Sequence, residues 1–281
     1  MDSENELETL KHALAAVPLG GMRYFERVDS TMDEAAAWLS EGATDLCLVV
    51  ADEQTAGRGR FGRRWFTAPK TSLAFSLILR RVESSHPTLL NGLGALAVCI
   101  ALEDHYHLQP QIKWPNDVLL DGKKVCGVLT EAHWQGDRLL GVVIGIGINL
   151  APSAVPPMNA ALFPATCLQE HLPSSAAQQL EENRFQFLAE VLEQLIVWRS
   201  HLPEKAFLQS WEARLAYRHQ TVQIFKTIED QSSLLSEGIL EGLNPDGNLI
   251  LRLASGETKT IPHGEIRLRP LEAKGDHGDV N

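Results

Sequence analysis

The chain has no disulfide framework, no long apolar run and no excess of positive charge. Its four cysteines (Cys47, Cys99, Cys126 and Cys167) stand in largely apolar segments without metal-site spacing. They read as buried, reduced thiols of an intracellular protein. The amino terminus, MDSENELETL, is acidic and has no apolar core segment, which argues against a secretory signal. The longest apolar stretch, Gly141 to Leu150, is too short to cross a bilayer. Acidic residues outnumber basic ones 36 to 25, a net charge of -11, whereas a general nucleic-acid binder carries the opposite balance. No repeat is visible. Together these absences predict a cytoplasmic protein with no membrane association.

What is present suits a folded globular chain. At 281 residues, a prior of roughly 150 residues per domain allows one or two domains. The 44% of hydrophobic residues is enough for a sizeable core. A short amphipathic helix is expected over Glu4–Val17 and a strand over Met22–Val28. Thr31-Met32-Asp33-Glu34 reads as a capping box opening a helix through Leu39. Strands are expected over Asp45–Asp52 and Thr71–Leu79, and an apolar helix over Leu89–Leu108. Gln111–Trp114, Asp117–Leu120, Val125–Trp134 and Arg138–Ile148 read as strands, with Asp121-Gly122 as a hairpin turn. Hairpin-linked strands among helices predict an α+β fold with a mixed or antiparallel sheet. After a Pro-rich connector, Ala151–Pro164, helices are expected over Leu180–Arg199 and Glu204–Leu215. Short strands follow at Thr221–Lys226, Glu237–Leu243, Asn248–Leu253, Thr258–Ile261 and Glu265–Arg269, the pattern of a small closed barrel. The boundary falls between residues 215 and 216, giving units 1–215 and 216–281. The acidic end Met1–Glu8 and the tail Lys274–Asn281 read as disordered.

Residues 57 to 65 run Gly57-Arg58-Gly59-Arg60-Phe61-Gly62-Arg63-Arg64-Trp65, with four arginines in seven positions. Glycines at this density let backbone N–H groups approach an anion. Guanidinium groups fork onto phosphate or carboxylate oxygens. The glycines match G-x-G-x-x-G, but a dinucleotide fingerprint must open a helix directly after a strand, and Arg-Arg-Trp-Phe-Thr-Ala-Pro is a poor helix start that leads into a strand candidate instead. An RGG-type nucleic-acid segment would sit in a longer low-complexity tract, which is absent. A solvated surface loop is the bland alternative.

Other motifs weigh against that alternative. Ser30 and Thr31 stand where a helix begins, as N-cap hydroxyls or as ligands of a small polar ring. Gln54 offers donors and an acceptor just ahead of the loop. Lys113-Trp114-Pro115-Asn116-Asp117 packs a lysine, an amide and a carboxylate around a strand break, more than a turn requires. Lys124 precedes Val125-Cys126-Gly127, where Gly127 permits close approach of a ligand to the sheet.

With these residues in this order, the chain resembles the biotin protein ligases. The resemblance rests on Asp29-Ser30-Thr31, the run Gln54 to Arg63, Trp65, Lys113-Trp114-Pro115-Asn116-Asp117, Lys124-Val125-Cys126-Gly127 and Gly145-Ile146-Gly147-Ile148-Asn149, and covers roughly residues 22 to 270. Met32 departs from members that carry asparagine there. The residues before the first strand are too few for the helix-turn-helix unit of some bacterial members, which implies an enzyme with no DNA partner.

The resemblance implies a biotin/lipoate ligase type of fold, class II aminoacyl-tRNA synthetase-like, followed by an SH3-like β-barrel. It implies that biotin is activated with MgATP to biotinyl-5'-AMP and passed to a lysine of a biotin carboxyl carrier protein, a subunit of acetyl-CoA carboxylase. Lys124, Arg58 and Asp117 would be catalytic. Ser30, Thr31, Gln54, Gly57, Arg58, Gly59, Arg60, Lys124, Gly127 and Gly145 would bind biotin, with Val128 and Ile146 beneath its rings. Arg58, Arg60, Arg63, Trp65, Lys113, Asn116, Lys124 and Asn149 would bind ATP. Asp117 would hold Mg2+ or orient the acceptor lysine. No tightly bound cofactor is expected, and the family contains both monomers and homodimers. A lipoate ligase would need an Arg-Arg-x-Ser-Gly-Gly-Gly type loop, which is missing, and a non-catalytic sensor would have no need of Lys124.

Overall fold

The computed structural model describes residues 3–82, 87–156, 163–202, 204–228, 231–263 and 266–270. In chain order its elements are α1 (Ser3–Ala13), β1 (Gly21–Val28), α2 (Thr31–Ser40), β2 (Cys47–Gln54), β3 (Ser72–Leu79) and α3 (Pro87–Tyr106). There follow β4 (Gln111–Lys113), β5 (Asp117–Leu120), β6 (Lys123–Gln135) and β7 (Arg138–Asn149). The remaining elements are α4 (Ser174–Arg199), α5 (Lys205–Ala213), β8 (Thr221–Ile228), β9 (Gln231–Leu243), β10 (Leu249–Arg252), β11 (Thr258–Ile261) and β12 (Ile266–Pro270).

Seven strands form a mixed sheet in the order β1-β2-β3-β7-β6-β5-β4, in which only β1 and β2 pair in parallel. The sheet is covered on both faces where it is central. Every residue of β3 is buried, as its unbroken apolar run predicts for a strand without a solvent face. On one face Leu48, Val50, Phe75, Leu77 and Ile144 pack with α3 and α4, and on the other Val49, Ile78 and Val143 pack with Met32, Ala35 and Leu39 of α2. Asp121 and Gly122 take φ of 48° and 72°, the left-handed pair that a two-residue hairpin needs.

The second sheet is antiparallel throughout, in the order β11-β10-β9-β8-β12. It is tied to the first where the Lys113–Asp117 motif lies. Trp114 Nε1 donates to the Gly247 carbonyl at 2.8 Å, and Ile112 exchanges backbone hydrogen bonds with Arg214 and Ala216. Among the described residues, no helix is long and apolar enough to cross a membrane.

Several sequence expectations need correcting. The acidic end is not a loose tail: residues 3–13 are helical, with acidic Glu4 and Glu6 in the first turn, where the helix dipole favours them. Leu10, Leu14 and Val17 are buried, and the helix stops at Ala13 instead of Val17. The capping box does not form. Ser30, not Thr31, occupies the N-cap and makes no side-chain bond there, while the Thr31 hydroxyl donates to Gln54. The last long helix begins at Ser174 instead of Leu180, and β9 begins at Gln231 instead of Glu237. Met1, Asp2 and the tail from Lys274 lie outside the described residues.

What recruits α1 is a buried ionic network. Arg184 Nη2 on α4 donates to Glu6 Oε2 at 2.7 Å and to Asp52 Oδ1 at 3.0 Å. Lys70 Nζ reaches Glu6 Oε1 at 2.6 Å, and Tyr24 donates to Asp52 Oδ2 at 2.7 Å. Burial alone would raise both carboxyls. Lys70 and Arg184 outweigh it at Glu6, whose pKa is lowered, whereas burial prevails at Asp52, whose pKa is raised. Removing one partner of such a cluster strands the others without solvent. Glu6→Ala is therefore expected to lose about 3–5 kcal/mol of stability in urea denaturation. An unchanged midpoint and slope would show that the network does not hold α1.

Candidate active site

A cleft of about 910 Å³ opens between α2, β6, β7, the Gly/Arg loop and β12. Its floor follows from strand alternation. Gly127 of β6 and Gly147 of β7 are paired across the ladder, and Leu129 faces Gly145 in the same register. A Cβ on Gly147 would lie 2.3 Å from Trp65 Cε2, and one on Gly145 would lie 2.4 Å from Met32 Sδ. The glycines are thus the condition for the Trp65 indole and the Met32 thioether to lie flat on the sheet. Val128 and Ile146 also border the cleft, but alternation turns their side chains against Gly94 of α3. The apolar side chain on the floor is Leu129 instead.

One end of the cleft is neutral and polar. Gln54 Oε1 accepts from the Thr31 N–H at 2.9 Å and from Thr31 Oγ1 at 3.1 Å. Gln54 Nε2 donates to Thr67 Oγ1 at 3.2 Å, and Ser76 Oγ donates to Thr31 Oγ1 at 2.9 Å. Beside them the Ser30 hydroxyl is buried with no hydrogen-bond partner. A buried unpaired hydroxyl next to an ordered polar ring is the mark of a seat for a small polar group.

The other end is cationic. Lys124 Nζ lies 2.6 Å from Asp117 Oδ1. Burial would raise the Asp117 carboxyl, but Lys124, Lys113 and Arg60 hold it below its ordinary value. Burial lowers Lys113, an effect that Asp117 opposes and Lys124, Arg269 and Arg63 reinforce. Burial also brings Arg60 down to about 10, so it remains charged at neutral pH. Arg60, Arg63, Lys113, Lys124 and Arg269 all line the cleft around this one carboxylate. Local positive charge in a protein of net charge -11 is an anion site. Lys113 Nζ stands 3.9 Å from the Phe163 ring centroid, and Lys124 Nζ 5.4 Å from that of Trp65.

The loop between β2 and β3 closes one side. Trp65 N–H donates to the Gly57 carbonyl at 2.8 Å and Gly59 N–H to that of Arg63 at 2.7 Å, which folds the loop back on itself. Arg58 forks onto Glu131 at 2.8 and 2.9 Å and also meets Asp33 at 2.9 Å. Arg60 Nη1 donates to Asn116 Oδ1 at 3.0 Å, while Asn116 Nδ2 donates to the Val128 carbonyl at 2.8 Å. Asn149 Nδ2 donates to the Thr166 carbonyl at 3.0 Å.

Of the residues singled out from sequence, Thr31, Gln54, Arg58, Gly59, Arg60, Arg63, Trp65, Lys113, Asn116, Asp117, Lys124, Gly127, Gly145 and Asn149 border this one cleft. Ser30 and Gly57 stand just behind its wall. Sequence reasoning missed Thr67, Phe163 and Arg269. Arg269 arrives from the second sheet, and no local pattern announces it. Ser76 did leave a signal, as a hydroxyl inside the buried run Ser72–Leu79.

The comparisons agree with this geometry. The model of the Biotin/lipoate A/B protein ligase family matches residues 24–149, and that of the Biotin protein ligase C terminal domain matches residues 224–269. A biotin protein ligase from Aquifex aeolicus, solved in complex with biotin and ATP, superposes with a TM-score of 0.71 at 29% identity, covering 89% of this chain and 99% of that one. Mixed sheet, cleft and terminal sheet thus define a ligase of the biotin and lipoate class. The biotin--[acetyl-CoA-carboxylase] ligase of Paracoccus denitrificans is 32% identical over 246 residues, 85% of this chain and 97% of that protein. The bifunctional ligase/repressor BirA of Bacillus subtilis is 42% identical over 128 residues, which span 45% of this chain and 39% of that protein. The chain belongs to the biotin protein ligase family.

The floor is open to a direct test. Gly147→Ala is expected to cost about 1–3 kcal/mol by overpacking against the indole. In a Trp65→Ala background the same change should cost clearly less. Equal costs in chemical denaturation of both backgrounds would show that Gly147 does not serve the indole.

Proposed function

We propose that this chain is a biotin protein ligase that joins biotin to AMP and then passes biotin to a lysine of a carrier protein. The observation that carries the reading is the polarity of the single cleft. A neutral hydrogen-bonding seat lies at one end and a cluster of cations at the other. The first suits a ureido ring and the second suits phosphates and a carboxylate brought together. The biotin and ATP of the Aquifex aeolicus complex support both substrates. The name of the Paracoccus denitrificans relative supports a carrier domain of acetyl-CoA carboxylase as acceptor.

In the first step a biotin carboxylate oxygen attacks the α-phosphorus of ATP, and the bond to pyrophosphate breaks. Two anions must meet, so fixed positive charge lowers the barrier more than any proton transfer would. Lys124 contacts the carboxylate and the developing adenylate. Arg58, Arg60, Arg63 and Lys113 hold phosphate oxygens, and Trp65, Asn116 and Asn149 frame the adenine. Ser30, Thr31 and Gln54 bond the ureido group, with Gly57, Gly59, Gly127 and Gly145 giving the backbone room beside it. In the second step the neutral acceptor amine attacks the acyl carbon, AMP leaves, and the amine loses its proton. Loop closure keeps water from the mixed anhydride.

Asp117 holds Lys124 in place through their 2.6 Å ion pair. A magnesium site there fits the donor set poorly. Among the described residues there is no group of three His, Cys, Asp or Glu placed to hold a metal, and Asp117 already faces ammonium groups. Any magnesium would have to come with the nucleotide's phosphates, with few protein ligands of its own. The same reading makes residues 1–215 a catalytic unit of class II aminoacyl-tRNA synthetase type and residues 216–281 an SH3-like barrel. That barrel lends Arg269 to the cleft.

Pyrophosphate release and the mass of a biotin carboxyl carrier domain, followed with biotin, MgATP and purified protein, test the reading. Biotin-dependent release with a biotin-sized gain on one lysine is expected, and no biotin-dependent release overturns it. Lys124→Ala should fold normally and lose adenylation by about 10²-fold or more, and near-normal turnover would remove its central role. Arg58→Gly should let free biotinyl-AMP accumulate in the filtrate during turnover, whereas full retention would count against loop closure.

A further inference from the structure

We infer that Thr166, locked by Glu170 and His171, is a positioning residue that sets the backbone of Lys124 and the side chain of Asn149. The inference rests on the ligase reading for the roles of those two residues, and on contacts outside the cleft for the rest. Residues 164–166 run parallel to the start of β6. Lys124 N–H donates to the Pro164 carbonyl at 2.8 Å, and Thr166 N–H donates to the Lys124 carbonyl at 2.9 Å. The Thr166 carbonyl then accepts from Asn149 Nδ2 at 3.0 Å. One residue therefore meets the chain beside the central cation and the amide beside the nucleotide.

Its side chain is held as firmly. Thr166 is 1% exposed. Its hydroxyl donates to Glu170 Oε2 at 2.8 Å and lies 2.9 Å from His171 Nε2. His171 Nδ1 lies 3.1 Å from Asp121 Oδ2, in the turn between β5 and β6. Gln169 N–H donates to the Leu150 carbonyl at 2.9 Å, so the turn that carries Glu170 and His171 is itself pinned to the end of β7. A line of bonds thus runs from the exposed turn at Asp121 through His171 and Thr166 to Lys124 and Asn149. None of these groups reaches the neutral end of the cleft at Thr31 and Gln54. Loosening the line should disturb nucleotide handling and leave biotin binding alone. Small misplacements of a charge-stabilising group are costly, since a shift of about 1 Å lowers rate by about 10²-fold.

The isosteric change Thr166→Val removes both side-chain bonds and leaves the backbone able to pair, while Thr166→Ser restores the hydroxyl. Two readouts decide the matter. In hydrogen exchange, the amides of Lys124 and Thr166 should exchange roughly tenfold faster in Thr166→Val than in wild type and Thr166→Ser. In steady-state adenylation, Thr166→Val should lose about tenfold in kcat/KM for ATP, with an unchanged Kd for biotin and recovery in Thr166→Ser. Wild-type exchange and kinetics in Thr166→Val overturn the inference, as does equal damage in both variants, which would make the role one of packing. If Thr166→Val does not fold, His171→Leu at the half-buried end of the line gives the same contrast. A wild-type protein without biotin-dependent pyrophosphate release overturns the ligase reading instead, and the exchange contrast still decides whether the hydroxyl holds Lys124.

Discussion

The pairing of Gly127 with Gly147 across β6 and β7 is the constraint on which the site depends. A sheet normally presents a row of side chains to each face, and here one face is stripped at two adjacent positions. The indole of Trp65 fills the space, and the loop that carries it is thereby set against the sheet. From that placement follow the walls of the cleft. Arg58 reaches across to Glu131, Arg60 meets Asn116, and Lys124 stands beside the ring. The same economy operates at Gly145, where Met32 takes the place of a floor side chain. Asparagine occurs at that position in some members of the family. The thioether is the less polar filler, and it leaves hydrogen bonding to Thr31, Gln54 and Ser30.

The electrostatic plan separates the site from the body. The surface charge is acidic overall, yet the cleft holds Arg60, Arg63, Lys113, Lys124 and Arg269 around a single carboxylate. Burial and the neighbouring cations lower Lys113, and Asp117 opposes that effect. His263, near Trp114 at the edge of the second sheet, is brought down to about 4 by burial and by Arg60, so it adds no charge at neutral pH. Positive charge is thus concentrated where phosphates would lie.

Much of this was legible in the sequence because the motifs are local. The Gly/Arg run, Lys113–Asp117 and Gly145–Asn149 each occupy one turn or one strand, and together they carry the resemblance that implied their roles. Short apolar stretches placed β2 and β3, and length with apolar density placed α3, for the same reason. What escaped was nonlocal. A helix was expected from Glu4, but not what buries its acidic end: the partners of Glu6, Lys70 and Arg184, lie far along the chain. The capping box at Thr31 failed because the N-cap falls one residue earlier, at Ser30, and the Thr31 hydroxyl donates to a distant glutamine. The resemblance led to Val128 and Ile146 being read as apolar residues beneath biotin, whereas the register of β6 and β7 turns them into the core under α3.

The network around Arg184 has a mechanical meaning beyond the helix it secures. Asp52 lies just before the Gly/Arg loop and Lys70 just after it, and both are clamped to the same Glu6–Arg184 pair. The two ends of the loop are therefore fixed to each other by a strut whose members do not line the cleft. Stiffness of the entrance is then a property that can drift independently of the reacting groups. Changes in α1 or α4 would alter how long an intermediate dwells in the cleft without altering a single residue that binds it.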